Sequence, residues 1–205
     1  MFLKTTPNFV KIPEDEGMDV HRIKSNGRMK KMSKWEVRYY TKKKFPIYGT
    51  TKSATLEEIH SRGLLHESVN IIIYNSKKEI LLVLRPKYRL GGGGYENLAA
   101  HLTGDGLLLD AQSCVERKLG IKEKLKFEYI GKVRYKIEYN DLIENEISHT
   151  LIAEYNGKLN PNPLNVEKIK WIKFGDIKPN SKNMIWINEG IKQVYDKVKE
   201  HLNGI

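Results

Sequence analysis

The segment DAQSCVERKLGI, residues 110–121, constrains the fold more than any other stretch of the chain. Ala111, Val115 and Leu119 recur every four positions, so they can line one face of an α-helix and pack against a core. Gly120 supplies a C-terminal stop, after which a strand can begin. The pattern predicts an amphipathic helix, and the polar residues on its other face decide what that helix can do.

Strand patterns surround this helix. The runs SVNIIIYN and EILLVLRP, joined by a polar turn at residues 76–78, predict a β-hairpin. Further strands are predicted by LKFEYIGKVRYKIEYN, ENEISHTLIAEYN and VEKIKWIKFGDI, and a terminal amphipathic helix is predicted at residues 187–202. Strands around one central and one terminal helix indicate a mixed α+β sandwich without a βαβ repeat or a doubly wound sheet.

Local signals place one histidine on a short helix. Thr55 precedes Glu58 by three residues, which is a capping-box pattern, and it predicts a helix that carries His60 near its C-terminal end. Gly63 then acts as a breaker. The four glycines at residues 91–94 lack the strand, helix and spacing of a phosphate-binding loop, so they predict a flexible loop.

Composition limits the class of protein. The 205 residues can build one sizeable core, and no apolar run is long enough for a membrane span. The N-terminal residues have no apolar core of a secretory signal. The single cysteine, Cys114, excludes an internal disulfide framework and suits a reducing compartment. A soluble, cytoplasmic protein that does not enter a membrane is therefore predicted.

The positive charge indicates anionic partners. A net charge of +11 suits phosphorylated small molecules, RNA or lipid headgroups without choosing among them, and genome composition explains it equally well. Residues 22–44 hold ten lysines and arginines among aromatic residues, a pattern that suits a groove for single-stranded nucleic acid. Their alternation and the turn signal at Asn26 and Gly27 favour an amphipathic hairpin instead. We predict a basic extension at residues 1–46, forming a β-hairpin packed on a main domain at residues 47–205.

Residues 47–194 resemble the Nudix superfamily and, within it, the type I isopentenyl-diphosphate isomerases. The matching segments follow the family's order: EEIHSRGLLHESV, NIIIYNSKKEILLVLRP, YENLAAH, RKLGI, LIENEISHTLIAEY, LNPNPLNVEKIKWI and MIWIN. This resemblance implies a Nudix-type α/β/α sandwich with a mixed sheet.

The helix at residues 110–121 corresponds to the Nudix box, whose glutamates hold Mg²⁺ against a pyrophosphate. Here Cys114, Arg117 and Lys118 occupy the glutamate positions, and Ser113 occupies the arginine position. Cationic side chains repel the divalent ion that carboxylates would hold. The box therefore argues against standard Nudix hydrolysis.

A second metal site of the family is better preserved. The resemblance implies a divalent metal bound by three histidines and two glutamates: His60, His66, His101, Glu144 and Glu146. The two glutamates stand two apart on a predicted strand, so their side chains share a face. Imidazoles and carboxylates together suit Mn²⁺, Zn²⁺ or Fe²⁺, and we expect Mn²⁺, Mg²⁺ or Zn²⁺ as the cofactor. Each histidine taken alone would be an ordinary capped or solvated side chain.

The resemblance also implies catalytic and substrate-binding residues. Glu146 and Tyr135 match the family's catalytic glutamate and its assisting tyrosine, whereas the catalytic cysteine falls on Ala99 or Ala100, which cannot titrate. The residues implied in binding a diphosphate substrate are Arg85, Lys87, Arg89, Lys118 and Trp186. Solvated surface cations and a core tryptophan are the alternatives for this set.

Three functions compete on this basis. The first is an isomerase-like Nudix protein that binds or acts on an organic diphosphate with a divalent metal, through altered chemistry. The second is an inactive Nudix module that binds a phosphorylated ligand or RNA, as the Nudix subunit of the mRNA 3′-end cleavage factor does. The third is a structural or interaction protein with a vestigial pocket.

Overall fold

A computed structural model describes residues 36–40, 51–88, 93–103, 106–139, 142–177 and 189–204. The strands of this part are β1 (Glu36–Tyr40), β2 (Thr51–Thr55), β3 (His66–Tyr74), β4 (Glu79–Leu84), β5 (Tyr95–Glu96), β6 (Leu98–His101), β7 (Glu128–Tyr139), β8 (Leu142–Glu154) and β9 (Lys168–Lys173). The helices are α1 (Leu56–Arg62), α2 (Leu107–Leu119) and α3 (Glu189–Gly204), and a 3₁₀ turn spans Phe174–Asp176.

Strand β3 lies at the centre of a mixed sheet. It pairs antiparallel with β1, β4 and β6, and parallel with β8. Strand β7 extends the sheet beyond β8, while β5 and β9 both pair with β4. One parallel pair among antiparallel ones confirms the predicted mixed sheet, and the two helices that cover it confirm the α+β class.

The two faces of the sheet pack against different helices. Val69 and Ile71 of β3 are buried with Val115 of α2. Ile72 and Tyr74 point to the other face and are buried with the residues that α3 contributes. Because side chains alternate along a strand, β3 can bury both faces at once. The three layers are those of the predicted α/β/α sandwich.

Most predicted elements form, with shifted ends. The hairpin of β3 and β4 is present, and Tyr74 pairs with Ile80 beside its turn. Helix α2 begins at Leu107, three residues before the predicted start at Asp110. Leu108 and Leu109 are exposed there, so the apolar run belongs to the first helical turn and not to the core. Within the described ranges, no helix combines the length and apolar character needed to cross a membrane.

Part of the predicted N-terminal extension joins the sheet. Strand β1 lies inside residues 1–46 and pairs along its whole length with β2, which belongs to the predicted main domain. The turn predicted at Asn26 and Gly27 lies outside the described residues, as do residues 91 and 92 of the glycine run. The boundary between residues 46 and 47 stays a prediction.

Candidate metal centre

Four separate elements bring the five predicted metal ligands together. His60 comes from α1, His66 begins β3, His101 ends β6, and Glu144 and Glu146 lie on β8. The register of the sheet makes neighbours of residues that are distant in sequence, because His66 pairs with Glu146. The adjacent pairing of Ser68 with His101 brings in the third strand.

Both ends of α1 fix the position of His60. The hydroxyl of Thr55 accepts a hydrogen bond from the backbone N–H of Glu58 at 3.2 Å, as the capping-box pattern predicts. At the other end, Gly63 adopts φ of +57°, which suits glycine. Its carbonyl accepts a hydrogen bond from the side-chain amide of Asn145 at 2.9 Å. Since Asn145 lies between the two glutamates on β8, this bond fixes His60 relative to them.

The donor atoms converge at one point. The Nε2 atom of His60 lies 3.4 Å from Oε2 of Glu144, and the Nε2 atom of His66 lies 4.0 Å from the same oxygen. Oε1 of Glu146 lies 3.3 Å from Nε2 of His66 and 3.5 Å from Nε2 of His101. One ligand atom from each histidine and from Glu144 falls within 4.8 Å of the others. This is the spacing that a single ion can bridge.

The orientation of the His66 ring suits a metal ligand. Its Nδ1 lies 2.9 Å from the carbonyl oxygen of Leu64, which assigns the N–H to Nδ1 and leaves the lone pair on Nε2. Nε2 of His66, Nε2 of His60 and Oε2 of Glu144 are buried, and none completes a hydrogen bond within the described part of the chain. Buried polar atoms without partners are costly, and a cation at their centre would satisfy all three. The donor set therefore fits a divalent metal.

The electrostatics separate the roles of the five groups. Burial acts to raise the pKa of Glu146, but the close approach of His66 and His101 and the hydrogen bond from Ser68 outweigh it and hold the pKa below its usual range. Burial, with His66, His60 and Arg85 nearby, lowers the pKa of His101 well below its usual value. Burial also acts to lower the pKa of His60, but the Glu144 carboxylate outweighs it and raises the pKa. Metal binding requires an ionised carboxylate and a neutral imidazole, so Glu146 and His101 are both in the form that can bind a metal ion.

The second oxygen of Glu146 faces away from the histidines. Oε2 accepts hydrogen bonds from the hydroxyl of Ser68 at 2.6 Å and from the hydroxyl of Tyr135. Ser68 also contacts Ser148, whose hydroxyl accepts a hydrogen bond from the amide of Asn70. Protein donors therefore hold Oε2, whereas Oε1 remains available to bind a metal ion.

Sequence reasoning missed this buried polar network. Four side chains in it are almost inaccessible to solvent, namely Ser68, Asn70, Asn97 and Ser148, and the buried Thr150 lies next along β8 on the same face. The available signal was the polar residues at alternate positions in two otherwise apolar strands. The polar side chains of β3 and β8 lie on the sheet face that carries Glu146. They continue the polar surface from the candidate metal centre along the face that α3 covers.

No thiol faces this centre among the described residues. Ala99 stands two residues before His101 on β6, so it shares the face of the histidine, whereas Ala100 packs on the core beneath α2. Cys114 is fully buried on α2, and its Sγ lies 3.6 Å from the carbonyl oxygen of Ala99. Of the two alanines that the resemblance offers for the cysteine position, Ala99 is the one on the same face as His101.

The predicted substrate-binding cations lie at different depths. Arg85 follows β4, and its Nη1 lies 3.3 Å from Oε2 of Glu96. The Nζ atom of Lys118 donates a hydrogen bond to the carbonyl oxygen of Ala99 at 2.8 Å. Lys87 is exposed. Two further predicted residues, Arg89 and Trp186, lie outside the described residues.

Comparison with known proteins identifies the fold first. No protein-family model matches the sequence. The structure is similar to that of the MutT protein from Methanosarcina mazei Go1, with a TM-score of 0.54 and 16% identity, over 67% of this chain and 94% of that one. The MutT Nudix hydrolase from Burkholderia pseudomallei gives a TM-score of 0.52 and 17% identity, over 65% of this chain and 98% of that one. The chain therefore has the Nudix fold.

Sequence comparison then narrows the resemblance. Isopentenyl-diphosphate Delta-isomerase 1 of Aromatoleum aromaticum is 29% identical over 116 residues, which make up 55% of this chain. The isopentenyl-diphosphate Delta-isomerase of Burkholderia multivorans is 30% identical over 118 residues, also 55% of this chain. In both cases the match spans 65% of the relative's length. The chain thus combines the Nudix fold with a sequence that is similar to part of the isopentenyl-diphosphate isomerases.

Proposed function

We propose that the protein binds a divalent metal through His60, His66, His101, Glu144 and Glu146, and that it binds or acts on an organic diphosphate beside that metal. The proposal is carried by the convergence of ligand atoms from His60, His66, His101 and Glu144, with Oε1 of Glu146 lying 3.3 Å from Nε2 of His66 and 3.5 Å from Nε2 of His101. Three imidazoles favour Mn²⁺ or Zn²⁺ over Mg²⁺, which prefers oxygen ligands. The single cysteine is in keeping with a cytoplasmic protein.

Glu146 and Tyr135 are the proposed catalytic residues. When bound, a divalent metal supplies electrostatic stabilisation for negative charge on a phosphoryl oxygen. The hydroxyls of Tyr135 and Ser68 hold Oε2 of Glu146, so Oε1, which faces His66 and His101, is the oxygen that can bind the metal or accept a proton from a ligand group. Tyr135 orients the carboxylate and can return a proton through its hydroxyl.

The proposed chemistry differs from that of the named relatives. Isomerisation in the family pairs a cysteine with the glutamate, so that one group delivers a proton and the other removes one. In this chain Ala99 stands at the position that shares a face with His101, and alanine has no titratable group. We therefore propose phosphoryl chemistry, or ligand binding without turnover, in place of cysteine-dependent isomerisation.

Metal titration tests the centre directly. We expect the purified protein to bind one equivalent of Mn²⁺ or Zn²⁺ in calorimetry. His66→Gln should weaken binding at least about tenfold, since even residues that support a ligand cause losses of this size. His149→Gln is the matched control, because His149 lies on β8 but pairs with Glu67 at 3.2 Å, away from the centre. Absence of stoichiometric metal in the wild type would refute the proposed centre.

Turnover requires a separate assay. Release of phosphate or pyrophosphate from a panel of organic diphosphates should depend on added metal and should be abolished by Glu146→Gln. The control is Glu138→Gln, because Glu138 is an exposed carboxylate on β7 that pairs with Lys136. Metal binding without any release would favour the binding module over the enzyme.

The second candidate is an inactive module that binds RNA or another phosphorylated ligand. Arg117 and Lys118 at the box positions and the net charge of +11 favour it. RNA affinity that falls steeply with salt would support this function, because phosphate contacts release counterions. RNA affinity that is weak at low salt would exclude it.

A further inference from the structure

A hydrogen-bond chain leads from Glu146 into the buried polar network. The Ser68 hydroxyl lies 2.6 Å from Oε2 of Glu146 and 2.9 Å from the hydroxyl of Ser148. The Nδ2 atom of Asn70 lies 2.5 Å from the Ser148 hydroxyl, and its Oδ1 lies 3.3 Å from Nδ2 of Asn97. All five side chains belong to residues that are at most 5% exposed. Because bulk water does not reach them, their polar groups have to satisfy one another.

The carboxylate at one end fixes the direction of the hydroxyl protons. An ionised carboxylate only accepts hydrogen bonds, so the one proton of the Ser68 hydroxyl points to Oε2 of Glu146. The bond between the two serines then needs its proton from Ser148, since Ser68 has no second proton to give. The Ser148 oxygen in turn accepts from the amide of Asn70.

The main chain fixes the direction at the other end. Nδ2 of Asn97 donates a hydrogen bond to the carbonyl oxygen of Leu98 at 2.9 Å, and this contact assigns the orientation of the Asn97 amide, because a carbonyl cannot donate. Asn70 must then turn its own carbonyl oxygen to Asn97 and its NH₂ group to Ser148. Every bond of the hydrogen-bond chain therefore donates towards the carboxylate. Bonds that are aligned in this way polarise and strengthen one another in a buried site.

The hydrogen-bond chain follows the two strands that carry His66 and Glu146. The parallel register of β3 and β8 pairs these two residues, and two positions further along it pairs Ser68 with Ser148. Asn70 lies another two positions along β3, on the same face of the sheet. The polar side chains and the two proposed metal ligands are thus parts of one rigid ladder.

We propose that Asn70 is a positioning residue of the candidate metal centre and acts on Glu146 through the hydroxyls of Ser148 and Ser68. The inference rests on the proposed function, because the carboxylate that it positions is a proposed metal ligand. The Asn70 amide fixes the rotation of the Ser148 hydroxyl, which fixes that of Ser68, and Ser68 holds Oε2 so that Oε1 stays directed at the histidines. Asn97 keeps the Asn70 amide in the orientation that this requires.

Calorimetric titration of the whole protein with Mn²⁺ tests this role. Asn70→Leu keeps the approximate size of the side chain and removes its hydrogen-bonding groups, so it should weaken Mn²⁺ binding about tenfold. Thr150→Val is the matched control, because Thr150 pairs with Asn70 across the sheet and is equally buried, but its hydroxyl has no hydrogen-bond partner within the described residues. This control should leave the affinity unchanged. Equal Mn²⁺ affinities in the two variants would overturn the positioning role.

A double-mutant cycle separates positioning from a general loss of packing. In a Ser68→Ala background, Asn70→Leu should cause no further loss of Mn²⁺ affinity, because the connection to Glu146 is already cut. Losses that add would overturn the proposal. Ser148→Ala is a smaller change that should show the same loss and the same lack of additivity, and it replaces Asn70→Leu if urea unfolding in EDTA shows that Asn70→Leu does not fold.

Failure of the metal centre and failure of the positioning role give different results. A wild type that binds no Mn²⁺ would refute the proposed centre and the role of Asn70 together. Wild-type binding that neither Asn70→Leu nor Ser148→Ala changes would overturn the positioning role alone and leave the centre in place.

Discussion

Ala99 and His101 project from the same face of β6, while Ala100 between them packs on the core beneath α2. In the family that this chain resembles, a cysteine pairs with the glutamate, and the resemblance places that cysteine at Ala99 or Ala100. The predicted metal ligands therefore lie beside the methyl group of Ala99, and the thiol of Cys114 is buried on α2.

Ala99→Cys tests whether the thiol is the missing part. We expect this variant to gain measurable conversion of isopentenyl diphosphate to its allylic isomer, because Glu146 and Tyr135 already lie across the same sheet face. The measurement is product formation by chromatography in the presence of Mn²⁺ and Mg²⁺. Ala100→Cys is the control, since its side chain enters the core. Equal activity in both variants would contradict the placement of Ala99.

Ser68 is expected to position Glu146. Its hydroxyl donates to Oε2 at 2.6 Å, which keeps Oε1 directed at His66 and His101. Ser68→Ala should weaken Mn²⁺ binding about tenfold, as losses of supporting hydrogen bonds do. A merely structural role would lower the melting temperature without changing metal affinity, so both are measured. Ser68→Thr retains the hydroxyl and should recover most of the affinity.

Sequence patterns predicted the scaffold better than the site. The hairpin of β3 and β4 and the capped helix α1 were predicted from local signals, namely alternation, turn residues and the Thr55 cap. Both elements are present in the structure. The five metal ligands came from resemblance, because no local pattern shows that His66 pairs with Glu146 across a parallel pair of strands. Parallel register depends on long-range packing, which periodicity does not encode.

The environment of the cations could not be read from the sequence either. Lys118 was assigned to the substrate because of its place in the Nudix box, and the structure adds that it is buried against the Ala99 carbonyl. The Nε and Nη2 atoms of Arg117 are buried as well, which depends on packing in three dimensions, since a helix of the same sequence on a surface would leave them in water. The predicted start of α2 at Asp110 is three residues too late, because three consecutive leucines do not show helical amphipathicity.

Thr150→Val should stabilise the protein. Thr150 is fully buried, and its hydroxyl has no hydrogen-bond partner within the described residues. Valine keeps the shape of the side chain and removes the cost of a buried, unsatisfied polar atom, which is about 1 kcal/mol or more. Urea unfolding monitored by circular dichroism measures the change. A loss of stability would show that the hydroxyl is bonded, for example to an ordered water.

Gly63→Ala should destabilise the fold and loosen the metal centre together. Gly63 has φ of +57°, and an added Cβ would lie 2.8 Å from Cγ2 of Ile143. The left-handed backbone costs an L-residue roughly 1–2 kcal/mol, and the clash adds to this. Because His60 lies in the last turn of α1, Mn²⁺ affinity should fall as well. Gly175→Ala is the control, since a Cβ there meets nothing within 4 Å.

Lys118→Met should make the protein more stable at neutral pH. Burial lowers the pKa of Lys118 from 10.5 to about 8, with Arg85 and Arg117 contributing and Cys114 and Glu96 opposing. Below pH 8 the lysine is charged in both the folded and the unfolded state, so the folded state bears the full cost of burying the ammonium. Methionine removes that cost, for a gain of about 1–3 kcal/mol in the free energy of unfolding at pH 7.

The pH dependence of this gain has a defined sign. Between the folded pKa of about 8 and the unfolded value of 10.5, the unfolded wild type binds more protons than the folded form, so wild-type stability rises with pH. The advantage of Lys118→Met should therefore be largest at pH 7 or below and should shrink as the pH approaches 10.5. Urea unfolding of both proteins across this range measures it. A constant difference across this range would show that Lys118 keeps its proton when the chain is folded, and would contradict the lowered pKa.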